Sequence, residues 1–483
     1  MISTKRDIYE HYNNDENIAI TMKQHEQKRL RVLIFLGGFL SMLALMYIIP
    51  RATLTLNDKM LSQDPATLEQ VREGNDIRSL KINVKEFNGV WQVVNASVEM
   101  YLYSAYYDDR PSLLTNPVIR VIAVSESQVE QRKVYCYIWY DVSTDPFVEV
   151  AEILHLGAGN NRHGKYFREH IYTCKLQTSK DIPKAISIEL EETDVKLPEP
   201  STYMTVQVPE KPETKQDFIN CVSVTFWKVD PYRVVEWMEL HKLWGVNKVT
   251  IYNSSIEDES AKVFLHYQKE GFVDFRQAPQ FVPDPGEMSI LLTMSPVICD
   301  CLYRNMHKYN KVVVTDLDEM IVPRTTLDYK SMLDEINNRQ PSEHKALSYM
   351  FRNDYFFMDP QMPEDTDMPK KLATLRHRVR LPPSGPGYSV KSIIDPQACV
   401  VMHNHFCWVR TKGHDTNGHT VDVNVDLAMN QHYKKCHFDK YLGKPGECAR
   451  MMEEQIADDT MLRFKDKLIE NVSKQLKSLG LEL

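Results

Sequence analysis

Hydrophobic and polar positions change their spacing several times along the chain, and each change marks a boundary. Residues 1–31 are polar, with Asn13, Asn14, Asp15 and Glu16 in succession and little to bury. An uncharged run follows from Val32 to Ile49, entered past Lys28, Arg29 and Arg31 and closed by Pro50 and Arg51. As a helix rising about 1.5 Å per residue it reaches about 27 Å, close to a thin hydrocarbon core. The run exceeds the apolar region of a cleaved signal peptide and no small-residue cleavage site follows, so it reads as a transmembrane signal-anchor. Because the basic flank precedes it, 1–31 becomes a cytoplasmic tail and the rest of the chain crosses, as a single-pass type II membrane protein.

Residues 50–79 form a polar stem without a period. Across 80–195 the spacing becomes that of short aromatic and β-branched strands, such as Val98 to Tyr106 and Val134 to Tyr140, separated by turns such as Asp108-Asp109-Arg110-Pro111. This predicts an all-β accessory domain, a sandwich. A Pro-, Glu- and Lys-rich linker occupies 196–215. Across 216–457 strands and helices alternate. Tyr232 to Trp244 carries apolar residues at 234, 235, 237, 238, 241 and 244 and stops at Gly245; Asp258 to Glu270 and Ser289 to Tyr309 are further helices. The strands Ile219 to Phe226, Lys248 to Tyr252, Phe272 to Phe275 and Lys311 to Thr315 fall between them, which predicts a Rossmann-like, mostly parallel α/β sheet. An amphipathic helix, within 458–483, closes the chain.

The strand that begins at Lys311 ends in Asp316-Leu317-Asp318-Glu319, and such carboxyl edges are where ligands sit in open α/β sheets. In an extended chain Asp316 and Asp318 point the same way and can converge on a hard cation, Mn²⁺ or Mg²⁺, that shares its shell with substrate phosphates. A helix cap or surface turn is the plain alternative. Apolar residues on both sides argue for metal, since charges pressed between buried segments are costly unless paired. Two carboxylates are candidate bases: Glu319, and Asp354 among the aromatics of Phe351-Arg-Asn-Asp-Tyr-Phe-Phe357, which a loop-capping role also explains.

Composition narrows the partners. The 483 residues are 43% hydrophobic and 26% charged, with a net charge of -8 and no polybasic stretch, which argues against nucleic acid. All nine cysteines lie beyond the apolar run, where an oxidising lumen permits disulfides, and an odd number leaves at least one free or paired between chains. Asn95, Asn253 and Asn471 head glycosylation sequons.

Several ordered motifs carry a resemblance. A membrane-anchored luminal chain of strand-helix units ending in D-x-D resembles a GT-A glycosyltransferase. Tyr232-Arg233-Val-Val-Glu236-Trp237-Met-Glu239-Leu-His241, Ile251-Tyr252-Asn253-Ser254-Ser255, Asp300-Cys301-Leu302-Tyr303-Arg304 and Asp316-Leu317-Asp318-Glu319-Met-Ile321-Val-Pro323 are similar to glycosyltransferase family 92 from about Ile219 to about Lys434. The family's late His-Tyr-Arg stands here as His432-Tyr433-Lys434, which removes a bidentate phosphate fork. The resemblance implies a Golgi enzyme that moves a hexose, galactose from UDP-galactose, to a glycan hydroxyl with inversion. It also implies metal at Asp316 and Asp318 and a late histidine, His403 in preference to His405, completing that site. Tyr232, Arg233 and Glu236 would stand near the nucleotide, Glu239 would be an exposed helix acid, and Asn253 would lie where the donor enters. A non-catalytic luminal glycan-binding or chaperone-like protein that keeps the fold is the alternative.

Overall fold

The computed structural model describes residues 91–483 apart from 95–97, 114–115, 142–144, 158, 163–164, 178–180, 191–202, 279–286, 341–344, 413–417 and 442. The expected tail, Val32–Ile49 span and stem lie outside the described residues, among whose helices none is long and apolar enough to cross a membrane.

Ten strands come first: β1 (Gln92–Val94), β2 (Met100–Asp108), β3 (Val118–Glu126), β4 (Val134–Trp139), β5 (Phe147–Val150), β6 (Glu152–His155), β7 (Asn160–Arg162), β8 (Lys165–Lys175), β9 (Ala185–Leu190) and β10 (Met204–Gln207). Two halves share one core, in which Leu102, Ile119 and Val121 meet Ile138, Ile186 and Ile188, and the Cys136–Cys174 disulfide ties β4 to β8. The halves of the expected sandwich are nevertheless one hydrogen-bonded sheet. β10 joins them, antiparallel to β9 and parallel to β2. This corrects the linker: Met204 and Val206 alternate with Thr205 and Gln207, and the two apolar side chains are buried in that core.

Alternation follows through β11 (Gln216–Trp227), α1 (Pro231–Leu243), β12 (Lys248–Ile256), α2 (Asp258–Lys269), β13 (Val273–Gln277), α3 (Glu287–Asn305) and β14 (Tyr309–Val314). Asp230 caps α1 by accepting from the Tyr232 amide at 3.0 Å, Pro231 fits the first turn, and Gly245 at φ 88° takes the left-handed position that ends it. The remaining strands are β15 (Glu319–Pro323), β16 (Lys345–Phe351), β17 (Asn353–Phe357), β18 (Val379–Arg380), β19 (Lys391–Ile394), β20 (Cys399–Met402), β21 (Cys407–Arg410), β22 (Gly418–Asp422) and β23 (Ala428–Lys434); α4 (Tyr329–Arg339) and α5 (Ala373–Arg376) lie among them. The main sheet has the order β13-β12-β11-β14-β19-β16-β22. It is parallel from β13 to β14, then mixed, because β19 enters antiparallel to both β14 and β16. A smaller sheet, β15-β23-β17, stands beside it.

α3 is the keystone. Its Leu292, Val297 and Leu302 pack in one cluster with Tyr101, Ile122 and Phe167 of the β-rich sheet and Val312 of β14, so the two sheets share a core. Within it Asp300 accepts from Tyr106 Oη of β2 at 2.5 Å and Tyr252 Oη of β12 at 2.6 Å, and pairs with Arg304 at 3.1 Å. The Asp300–Arg304 motif therefore binds sheet to sheet.

Candidate active site

The last three residues of β14, Val312 to Val314, are apolar and buried on both faces, and the strand runs between β11 and β19. The chain does not stay extended past it. Residues 316–319 form a tight turn, closed by the Glu319 amide donating to the Asp316 carbonyl at 3.2 Å, after which Glu319 opens β15. The turn, rather than strand alternation, brings the three acids together. Trp237 of α1 holds it, its Nε1 donating to the carbonyls of Asp316 at 3.1 Å and Glu319 at 2.9 Å.

Two cationic side chains from distant strands meet these acids. Lys391 Nζ, buried at the start of β19, lies 2.7 Å from Asp316 Oδ2 and 2.8 Å from Glu319 Oε2. His432 of β23 stands opposite Glu319 in register, with Nδ1 2.9 Å from Glu319 Oε1 and Nε2 3.1 Å from Asp318 Oδ2. Ser223 Oγ donates to Asp316 Oδ1 at 2.8 Å. Burial pushes the Asp316 carboxyl up against the pull of Lys391, whereas burial of Glu319 is outweighed by Lys391 and His432, which hold it well below the usual range. His432 is raised: burial opposes its charge, but Glu319 and Asp318 favour it more. Asp318 is the most open of the three, its side chain 40% exposed.

The donor set fits a divalent cation at one edge. Asp318 presents a carboxylate to solvent beside the buried His432 imidazole, whose two nitrogens face Asp318 and Glu319, while both oxygens of Asp316 are already engaged by Ser223 and Lys391. Asp316 therefore suits an orienting role.

Several sequence expectations are corrected. The imidazole at the acids is His432, not His403, because antiparallel pairing of β15 with β23 carries it there. His403 instead stands in the turn between β20 and β21, its ring 5.7 Å from Phe406 and 5.6 Å from Trp408. Asp354 is on the wrong face. Tyr355 is the neighbour of His432 in β17, so the preceding residue points to the opposite side, where Asp354 lies fully buried 3.3 Å from Arg380. Glu236 is buried and consumed by α5, accepting from the amides of Ala373 at 3.0 Å and Thr374 at 2.9 Å and from Thr374 Oγ1 at 2.6 Å. An anion at these otherwise unpaired amides is a helix anchor.

The other residues spread out. Arg233 donates to the Tyr433 carbonyl at 2.8 Å, Tyr232 lies under Lys371 Nζ at 4.1 Å, and Asn253, in the carboxyl half of β12, accepts from the Ile256 amide at 2.8 Å. Glu239 is buried rather than exposed, accepting from Tyr267 Oη at 2.9 Å. The turn at 403–406 belongs to the site: Lys391 Nζ also reaches the Asn404 carbonyl at 3.2 Å, and Ser392 Oγ donates to the His405 carbonyl at 2.5 Å. The Asn404 side-chain amide is buried with neither atom hydrogen-bonded among the described residues. Beside it Phe406 and Trp408 stack at 6.0 Å, with Trp408 44% exposed. On the His432 side, a cavity of about 340 Å³ opens past Tyr355, lined by Tyr388, Phe438 and Arg450.

Comparison with known proteins bears on the family. A beta-1,4-galactosyltransferase of Caenorhabditis elegans is 26% identical over 275 residues, 54% of this chain and 60% of that protein. The chain thus spans less than two thirds of that relative. Solved structures with partial likeness include glucosyl-3-phosphoglycerate synthase of Mycobacterium tuberculosis, with 10% identity, 56% of this chain, 81% of the other and a TM-score of 0.24. A glucose-1-phosphate thymidylyltransferase of Bacillus anthracis gives 12%, 38%, 72% and 0.20. At such scores these two carry no argument. The family model for glycosyltransferase family 92 matches residues 216–478, from the first strand of the mixed sheet through the closing helix. Since that is more than half of the chain, the chain belongs to glycosyltransferase family 92.

Proposed function

We propose that this glycosyltransferase moves galactose from UDP-galactose to a glycan hydroxyl, with a divalent cation and with inversion at the anomeric carbon. The observation that carries the proposal is the turn at 316–319, where, among the described residues, three acids form ion pairs with Lys391 and His432 and Asp318 stays 40% exposed at its side chain. A cation such as Mn²⁺, held by Asp318 and by a His432 that has given up its proton on binding, would supply the charge that steadies a departing diphosphate. Asp316, locked by Ser223 and Lys391, orients the turn. Of the two carboxylates considered as bases, Glu319 is the one on this face, but Lys391 and His432 engage both its oxygens, so it braces the turn and neither carboxylate is assigned the proton of the acceptor hydroxyl.

Trp408 and Phe406 supply an apolar platform for a sugar ring, and the Asn404 amide a polar partner for its hydroxyls. Four disulfides, Cys136–Cys174, Cys221–Cys301, Cys399–Cys407 and Cys436–Cys448, support an oxidising lumen, and with it a Golgi type II placement anchored by Val32–Ile49.

The test is release of UDP from UDP-galactose by the full chain, with and without Mn²⁺, against an array of glycans. Transfer that needs the metal and disappears in Asp318→Asn is expected. Absence of donor turnover with every metal and acceptor would instead favour a non-catalytic glycan-binding protein, and a product that keeps the α configuration would remove inversion.

A further inference from the structure

A second group of ligating side chains lies in the β-rich sheet. His155 of β6 and His170 of β8 are directly opposed in the antiparallel register, so both rings stand on one face. Glu130, in the 3-10 turn Ser127–Gln131 that follows β3, reaches over them. Its Oε1 is 3.4 Å from His155 Nδ1 and 3.3 Å from His170 Nε2, and the three donor atoms all lie within 4.8 Å of one another. Those separations exceed the usual hydrogen-bond length of about 2.9 Å. They match the edge of a tetrahedron whose centre is about 2.0 to 2.1 Å from each ligand, which works out to about 3.3 to 3.4 Å.

The surroundings suit a metal. The other ring nitrogen of His170, Nδ1, is 2.9 Å from Ser125 Oγ, which is 2.6 Å from Tyr172 Oη. With Nδ1 donating to that hydroxyl, the lone pair of Nε2 faces Glu130, the outer-shell arrangement that metal-bound imidazoles show. His170 is buried, while His155 and Glu130 are 46% and 26% exposed at their side chains, so one side is open to solvent and a water can take a fourth position. One competitor is present: Arg168 Nη1 sits 3.3 Å from the same Glu130 oxygen. Its guanidinium also lies 5.5 Å from the Tyr166 ring, which offers it another resting place.

We propose that Glu130, His155 and His170 form a zinc site in the β-rich sheet, separate from the carboxylates of the transfer site. Two imidazoles and one carboxylate select zinc over magnesium or calcium, which favour oxygen shells.

The test is Co²⁺ titration of the metal-stripped full chain. One equivalent should give the intense visible band of tetrahedral cobalt, and Zn²⁺ should displace it. The band should persist in Asp318→Asn and vanish in His155→Ala, with zinc affinity falling by about a hundredfold or more. His155 is half exposed, so that variant should melt like wild type without metal yet lose the rise in Tm that zinc gives the parent. Arg168→Gln should bind zinc more tightly. Absence of a tetrahedral band, a band unchanged in His155→Ala, or one lost in Asp318→Asn would each overturn the proposal.

Discussion

Among the buried acids, Asp300 and those of the turn 316–319 are built on opposite terms. Asp300 stands alone against two tyrosine hydroxyls and Arg304, so its charge is met from every side. At the turn three acids face two cationic groups, and one edge stays open. A closed cluster stabilises; an open one is held ready for a charge from outside. Both stand in motifs of the family resemblance, so membership of a motif does not separate them, whereas the count of partners does.

The largest effect should come from the open cluster. Asp318→Asn should keep the fold and cut transfer by about a thousandfold or more, with added Mn²⁺ unable to restore it. His432→Ala should raise the Mn²⁺ concentration needed in the same assay, and a similar shift in His403→Ala with none at His432 would reverse the assignment. Next, Asp300→Ala should act on stability. It strands Arg304 and two hydroxyls, for a loss of about 3–5 kcal/mol in denaturant unfolding, while the molecules that remain folded keep their turnover. Lost turnover in fully folded protein would make Asp300 part of the chemistry.

Asp354 sharpens the contrast from another side. Burial, against the pull of Arg380, carries its carboxyl from 3.8 up to about 7. Between those values the folded chain holds a proton that the unfolded chain has released, so stability falls as pH rises through that window. Asp354→Asn should flatten the melting temperature between about pH 4 and pH 7 and leave transfer within about threefold of wild type. A collapse of kcat with normal donor binding would restore it as a base. The smallest effect belongs to Trp408→Ala, expected to raise the acceptor KM about threefold to tenfold with UDP-galactose hydrolysis unchanged.

Much of this was legible from spacing. The α1 stripe ends at Gly245, and the apolar approach to Asp316 marks the end of β14. The cations at the site were not legible, because Lys391 and His432 lie 75 and 114 residues from the acids they meet and arrive through strand pairing, which leaves no local period. Aromatic neighbours misled at Asp354: in a strand of five buried residues both faces are apolar or paired, so the setting does not tell which side looks at the site. β10 escaped for a related reason, being four residues set near Pro and Glu. Glu236 and Glu239 were mistaken because α1 is covered nearly all round, and a helix in that position buries its acids with partners.

The shared core around α3 separates two kinds of boundary. The family match begins at residue 216, but a chain cut there would lose the partners of Leu292, Val297 and Leu302 and would bare Tyr252 and Arg304 where Tyr106 had closed over Asp300. Residue 216 is a limit of recognisable ancestry rather than of autonomous folding. Such a fragment should be recovered as aggregate, and the shortest chain worth expressing begins before β1.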